Sequence, residues 1–355
     1  MSTRASAASV AHAGAGSDLL LQMDDVVQYF TVRGRGFFAK KHTVHAVDGV
    51  TLSVERGETL GIVGESGCGK STLARIAVGL LKPTSGSVAY EGVDMWEKSS
   101  SDVARRQLQM VFQDPTGSLN PRLTIRESVA EPLRARGIRD VDDKVHESLD
   151  LVALKVEFAD RLPHQLSGGQ QQRACIARAL IAEPELVVHD ESVSALDVSL
   201  QAQVLNLLRD LQEKLALTYL FISHDLAVVQ AISRRIAVMY LGQIVELAPS
   251  AEFRARPLHP YSIALRSAVP VPDPKVERQR ARIILRGDVP SPLDPPPACR
   301  FHTRCPAVED VCRTEEPQLI QYRDGHWARC HFAGGFDKVM RPVGVADPGI
   351  QGYGS

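Results

Sequence analysis

No apolar run in this chain approaches the ~18 residues that a membrane-spanning helix needs. A spanning segment is excluded, and a soluble or surface-bound protein is expected. Charge of one sign is missing as well. The 41 Lys and Arg stand against 42 Asp and Glu, a formal net charge of -1, and without a basic excess nothing points to nucleic acid as a partner. Residues 1–18 are rich in Ala, Ser and Gly but lack the apolar centre and cleavage pattern of a secretory signal. They are expected to form a disordered tail, with the cytoplasm as the default location. What is present suffices for a full core: 355 residues, 44% of them hydrophobic, suit one large domain with an appendage, or two domains.

The run Gly64-Glu65-Ser66-Gly67-Cys68-Gly69-Lys70-Ser71 spells a complete phosphate-binding loop. Thr59 to Val63 before it reads as a short buried strand and Ser71 to Ala77 after it as a helix, the context such a loop requires. Small glycines let backbone N–H groups close around phosphates while the helix directs its positive end at them. Lys70 is then expected to bridge phosphate oxygens, Ser71 to ligate Mg²⁺, and Thr72 to offer a second hydroxyl. Cys68 is read as present for its size, with a redox role at a helix N-terminus as the alternative. Upstream, Leu19 to Met23 and Asp25 to Phe30 read as a strand entering a turn, and Val44 to Val54 as a second strand. Between them, Arg33 to Lys41 reads as a basic hairpin tip, solvated or touching lipid headgroups or a partner. Tyr29 or Phe30 offers a flat face for an adenine ring, Phe30 being the preferred one.

Leu108 to Gln113 reads as a buried strand stopped by Pro115. Gln113 at its carboxyl end is positioned to reach Mg²⁺ or an attacking water. From Asn120 to Pro163 the pattern turns helical and polar, a helical subdomain inserted into an α/β core. Leu166-Ser167-Gly168-Gly169-Gln170 is a second glycine-rich start to a helix, again suited to an anion. Glu185 to Glu191 is an apolar strand ending in two carboxylates, of which Asp190 suits a Mg²⁺ shell and Glu191 suits orienting or deprotonating a water. Thr218 to Asp225 is a further strand that brings His224 to the same sheet edge, and the stripe Leu200, Val204, Leu207, Leu208, Leu211, Leu215 is a core-facing helix.

Phosphate loop, Gln113, Leu-Ser-Gly-Gly-Gln, Asp190-Glu191, Ser194 to Asp197 and His224 stand in the order and spacing of the ATP-binding cassette ATPases, which the chain resembles over Leu19 to Leu247. The resemblance implies an α/β P-loop NTPase fold with an antiparallel β edge layer over 19–262, its helical subdomain at about 114–180. It also implies a head-to-tail dimer that sandwiches two ATP molecules, each between the loop of one subunit and Ser167-Gly168-Gly169-Gln170 of the other. Glu191 would then activate water, His224 contact the γ-phosphate, Asp197 communicate across the interface, and Gln113 couple nucleotide state to a transmembrane partner.

Beyond the cassette, His259-Pro260-Tyr261, Val289-Pro290-Ser291-Pro292 and four cysteines resemble the C-terminal region of oligopeptide and dipeptide importer ATPases. That likeness implies an extension over 263–335, followed by a flexible tail at 336–355. It further implies two transmembrane permease subunits, an indirect extracytoplasmic solute-binding protein, and a place on the cytoplasmic face of the membrane. Asp190 to Ser199 resembles the second of two non-identical ATPase subunits, so a heterodimer is expected, a homodimer being the alternative. Cys299, Cys305, Cys312 and Cys330 lack CxxC spacing, and four cytosolic thiols are expected to share a ligand. Relatives of this type can hold a [4Fe-4S] cluster, which is the reading taken here as a structural group. Zn²⁺, with His302, His326 or His331 as substitute ligands, is the alternative, and free thiols or a disulfide the plain reading. Peptides are the expected cargo, with nickel, glutathione or another small solute as alternatives. The competing functions are a soluble cassette ATPase of translation or DNA repair and a nucleotide-dependent switch without turnover, which the intact Glu191 and His224 disfavour.

Overall fold

The structure, a computed structural model, describes residues 18–33, 41–97, 106–270 and 282–336. The expected N-terminal tail, most of the basic hairpin tip at Arg33 to Lys41 and the C-terminal tail lie outside the described residues.

Strands made of unbroken apolar residues have no face to give to water, so they belong in the middle of a covered sheet. β3 (Thr59–Val63), β7 (Leu186–Asp190) and β8 (Thr218–Ser223) are buried at every position. Together with β6 (Leu108–Val111) and β9 (Arg235–Tyr240) they form a parallel array in the order β9-β3-β8-β7-β6. Side chains alternate between its faces: Leu220 and Ile222 enter one core, Tyr219 and Phe221 the other. The first core lies under α1 (Lys70–Ala77) and an antiparallel layer, β2-β1-β4-β5, built from β1 (Leu19–Arg33), β2 (Lys41–Glu55), β4 (Ser85–Tyr90) and β5 (Val93–Asp94). This is the expected edge layer, but β1 differs in detail. No turn follows Met23; Asp25 takes a left-handed φ of 47°, gives its N–H to Thr51 Oγ1 at 3.0 Å, and lets one bulged strand continue to Arg33.

The second core carries the helices. α2 (Ile125–Ala135), opened by a Thr124–Glu127 capping box, and α3 (Asp142–Leu151) surround α4 (Gly168–Leu180). α5 (Val198–Leu215), α6 (Leu226–Ile232) and α7 (Pro260–Ala268) complete the helices that matter here.

The carboxyl-terminal segment does not stand apart. β10 (Gln243–Pro249) pairs with β9, and the hairpin of β11 (Leu319–Arg323) and β12 (His326–Arg329) extends the same sheet through Glu246↔Ala328 and Leu247↔Trp327. Under that junction Glu246 is wholly buried; it accepts the N–H groups of Leu258 and His259 at 2.9 and 2.7 Å and faces His326 Nε2 at 2.8 Å. Phe301 fills a pocket among Tyr240, Tyr261 and His259, with centroid distances of 5.3, 5.6 and 5.5 Å. Among the described residues no helix is long and apolar enough to cross a membrane.

Phe301→Ala should therefore lower the stability of the whole protein by about 3–5 kcal/mol in a denaturant titration, because the cavity lies between extension and cassette. Acid should weaken the fold as well. His189 and His259 are buried, and burial pushes each imidazole from 6.5 down to about 3. The unfolded chain binds those protons first, so stability is full above about pH 6.5 and falls as the pH drops below it. A melting midpoint unchanged between about pH 7 and about pH 5 would contradict this.

Candidate functional site

β3 ends at the sheet's carboxyl edge and the chain turns through Gly64 to Gly69 into α1. Two positions in that turn must be glycine. A Cβ on Gly64 would lie 2.2 Å from the Met239 carbonyl oxygen; one on Gly69, at φ 107°, would lie 1.9 Å from that of Ala46. Gly69 is also the N-cap of α1 and supplies no side-chain cap, so the helix presents its first N–H groups to an anion. Ser66 and Gly67 are exposed at the tip, and Thr72 is half-buried. Cys68 is buried, burial pushes its thiol up, away from the thiolate that redox chemistry needs, and its carbonyl accepts the Gly242 N–H at 2.8 Å. Lys70 is buried too, its Nζ donating to the carbonyl oxygens of Gly64 and Glu65 at 2.9 and 3.0 Å.

Opposite the loop, β7 and β8 deliver their polar ends. Ser71 Oγ donates to Asp190 Oδ1 at 3.0 Å. Burial raises the Asp190 carboxyl above its ordinary value and the charge of Glu191 adds to the effect, while Ser71 opposes it. A hydroxyl beside a partly desolvated carboxylate is a donor set that fits a hard divalent cation shared with phosphates. Glu191 follows at a left-handed φ of 49°, a strained conformation that turns its side chain from the strand toward the loop. Three expected site residues converge on it: Gln113 Nε2 donates to Oε2 at 3.1 Å, His224 Nδ1 lies 3.1 Å from the same oxygen, and Lys70 Nζ lies 3.6 Å from Oε1. Gln113 reaches it from a loop and not from a strand end, since β6 stops at Val111 and Gln113 is exposed.

The other expected residues lie on separate elements. Ser167 is the N-cap of α4, accepting the Gln170 N–H at 3.4 Å, while Gln170 Oε1 accepts the Ser167 N–H at 2.9 Å. The helix thus begins at Gly168, within the glycine-rich start read from the sequence, because this capping box satisfies its first turn. Ser167 and Gly168 are exposed, and Gly169 is pressed against Leu200. Asp197 is the exposed N-cap of α5, accepting the Leu200 N–H at 2.9 Å. Phe30 is an exposed aromatic on β1, whereas Tyr29 is tied down, donating to Asp48 Oδ1 at 2.6 Å and lying 4.3 Å from the His45 ring.

All six cysteines are free thiols, and among the described residues no three His, Cys, Asp or Glu are gathered as a metal-binding group. The four-cysteine ligand shell is therefore not assembled as expected, although the residues are neighbours. The Cys299 N–H donates to the Cys312 carbonyl at 3.2 Å, and the Phe332 N–H to Cys330 Sγ at 3.5 Å. Burial, reinforced by the neighbouring thiolates, pushes Cys305 up to about 11 and Cys330 up to about 12. The proposed substitutes are engaged elsewhere: His326 with Glu246, His302 Nδ1 with the Cys299 carbonyl at 2.8 Å, and His331 Nε2 with the Glu315 carbonyl at 3.1 Å.

Residues that sequence reading passed over complete the loop's surroundings. Tyr261 Oη accepts the Glu65 N–H at 3.0 Å, and Arg304 grips the Glu65 carboxylate with two nitrogens at 2.8 and 3.2 Å. Arg300 bonds the Leu241 carbonyl and Asp48. Tyr261 stood in a noted motif; nothing local marked Arg304 except its place beside Cys305.

Comparison with known proteins agrees with this geometry. The family model described as "ABC transporter" matches residues 47–194, and that of the "Oligopeptide/dipeptide transporter, C-terminal region" matches 245–312. The chain is 49% identical to the oligopeptide transport ATP-binding protein AppF of Bacillus subtilis (strain 168) over 324 residues, 90% of this chain and 98% of that protein. It is 50% identical to the oligopeptide transport ATP-binding protein OppF of Salmonella typhimurium over 309 residues, 85% and 92% of the two chains. Among solved structures, the dimeric post-hydrolysis state of the ATP-binding cassette MJ0796 bound to ADP and Pi aligns with a TM-score of 0.57 and 30% identity, covering 65% of this chain and 99% of that one. With the loop, the paired carboxylates and the carboxyl-terminal region all matched, the chain belongs to the ATP-binding cassette ATPases, in the family of oligopeptide transport ATP-binding proteins.

Proposed function

We propose that this protein is the ATP-hydrolysing subunit of a peptide importer, acting through a separate membrane permease. The observation that carries the reading is the Glu191 carboxylate, held at a strand end by Gln113, His224 and Lys70 beside an uncapped helix N-terminus. In this arrangement the loop amides and Lys70 bind the β- and γ-phosphates, and Ser71, Asp190 and Gln113 hold Mg²⁺, which supplies charge neutralisation when bound. Glu191 takes the proton of the attacking water, and His224 contacts the γ-phosphate. Phe30 stacks on the adenine. Ser167, Gly168, Gly169 and Gln170, with Asp197, face the nucleotide of a second cassette subunit, either this chain or a non-identical partner. The exposure of Ser167, Gly168 and Asp197 supports that role.

A cavity of about 840 Å³ beside the Gln113 loop supports a permease contact; its lining includes Leu80, Met110 and Phe112 with Arg106, Arg136 and Arg178. Glu131 also lines it, 4.0 Å from Arg178, and such a mixture of apolar wall and charged rim suits a short helical segment from a membrane subunit. Peptide cargo follows from the names of the relatives. The test is uptake of a labelled peptide series by membranes carrying the permease and this subunit. Glu191→Gln should cut both ATP hydrolysis and uptake by roughly 10²–10⁴-fold while the purified protein still binds ATP. Hydrolysis without uptake of any peptide would redirect the reading to another solute, and unchanged hydrolysis would remove Glu191 from its role.

For the four cysteines we propose a [4Fe-4S] cluster with a structural task. Burial, with the neighbouring thiolates adding to it, raises Cys299, Cys305 and Cys330, and a cationic group placed among them would oppose both effects. Anaerobically purified protein should be brown, with iron and acid-labile sulfide in equal amounts; colourless protein holding one equivalent of zinc would decide for zinc.

A further inference from the structure

Glu65 puts a carboxylate inside a loop whose occupant is a polyanion. Like charges at such a place weaken binding unless a cation answers them. Lys70 does not answer this one, since its contact with Glu65 is to the carbonyl oxygen, at 3.0 Å, and its carboxylate contact is Glu191. Arg304 does. Its Nη1 and Nη2 reach Glu65 Oε2 and Oε1 at 2.8 and 3.2 Å, and only 8% of the arginine side chain is exposed. The guanidinium sits 5.9 Å from the Tyr240 ring centroid, with Tyr240 buried against Tyr261 and Phe301. Tyr261, from α7, takes the Glu65 N–H at the same time. The residue is thus fixed at both main chain and side chain by groups outside the cassette's nucleotide motifs.

We propose that Arg304, reaching from the cysteine-bearing extension, neutralises and positions Glu65 in the phosphate loop, so that the extension sets the affinity of the cassette for Mg·ATP. This rests on the reading of the loop as an ATP site. Arg304 is a positioning residue and touches no phosphate itself. A fork geometry suits the task better than an ammonium would, because both carboxylate oxygens must be held at once.

Removing the guanidinium leaves the Glu65 charge exposed to the triphosphate. Arg304→Gln should raise KM for Mg·ATP about tenfold, more at low salt than at high salt, with kcat within about twofold of wild type. Arg304→Lys should fall between the two. The decisive arm is Glu65→Gln in the Arg304→Gln background: removing the offending charge should restore KM to near the wild-type value, which a purely structural role of Arg304 would not produce. An unchanged KM in Arg304→Gln, or a double variant no better than the single one at equal melting midpoint, would overturn the proposal. If Arg304→Gln fails to fold, Glu65→Gln alone decides. It should lower KM, since the cation then faces the phosphates unopposed, and a rise would overturn the inference. Failure of the ATP reading would look different, as wild-type protein would then neither bind nor hydrolyse Mg·ATP.

Discussion

Carboxylates beside a polyanion are the constraint around which this structure is built. On the proposed reading, hydrolysis needs a base near the γ-phosphate and a ligand for the metal, so two acids stand where negative charge is least welcome. Each acid is matched to particular partners. Asp190, buried and raised in consequence, leans on Ser71. Glu191 has Lys70 on one oxygen and Gln113 with His224 on the other. Glu65, which no step of hydrolysis requires, has Arg304.

The parallel sheet makes the assembly possible. Because β3, β7 and β8 run in one direction, their carboxyl ends meet at one edge, and the loop, the two acids and His224 arrive there from distant parts of the chain. The antiparallel layer covers α1 on one side of this edge, and the loop that follows β6 brings Gln113. Rigidity comes from burial on both faces, which leaves the strands no freedom to slide.

Most of this site could be read directly from residue order. The loop motif, the apolar strands and the carboxylate pair obey local rules, so their elements fell within a few residues of expectation. Errors arose where a local rule met a tertiary one. Asp25 reads as a turn residue, yet a bulge tolerates it and the strand continues; Gln113 reads as a strand end, yet β6 stops at Val111 and the residue lies in the following loop. The role of Arg304 was hidden for a different reason. Its partner is 239 positions away, and a bidentate ion pair across that distance leaves no periodicity or spacing behind. The cysteines show the opposite difficulty, since their clustering in sequence promised a ligand shell that the side chains do not form by themselves.

The pairing of β12 with β10 carries a consequence for the order of synthesis. A ribosome releases the phosphate loop early, but the sheet behind it gains its last two strands, and Glu65 its arginine, only after some 250 further residues have emerged. A nascent cassette therefore passes through a long interval with Trp327 and Phe301 absent from their places and Glu246 without its histidine. On the proposed role of Arg304, nucleotide binding reaches full strength only in the finished chain, and a product cut before residue 304 holds Mg·ATP more weakly than the complete one.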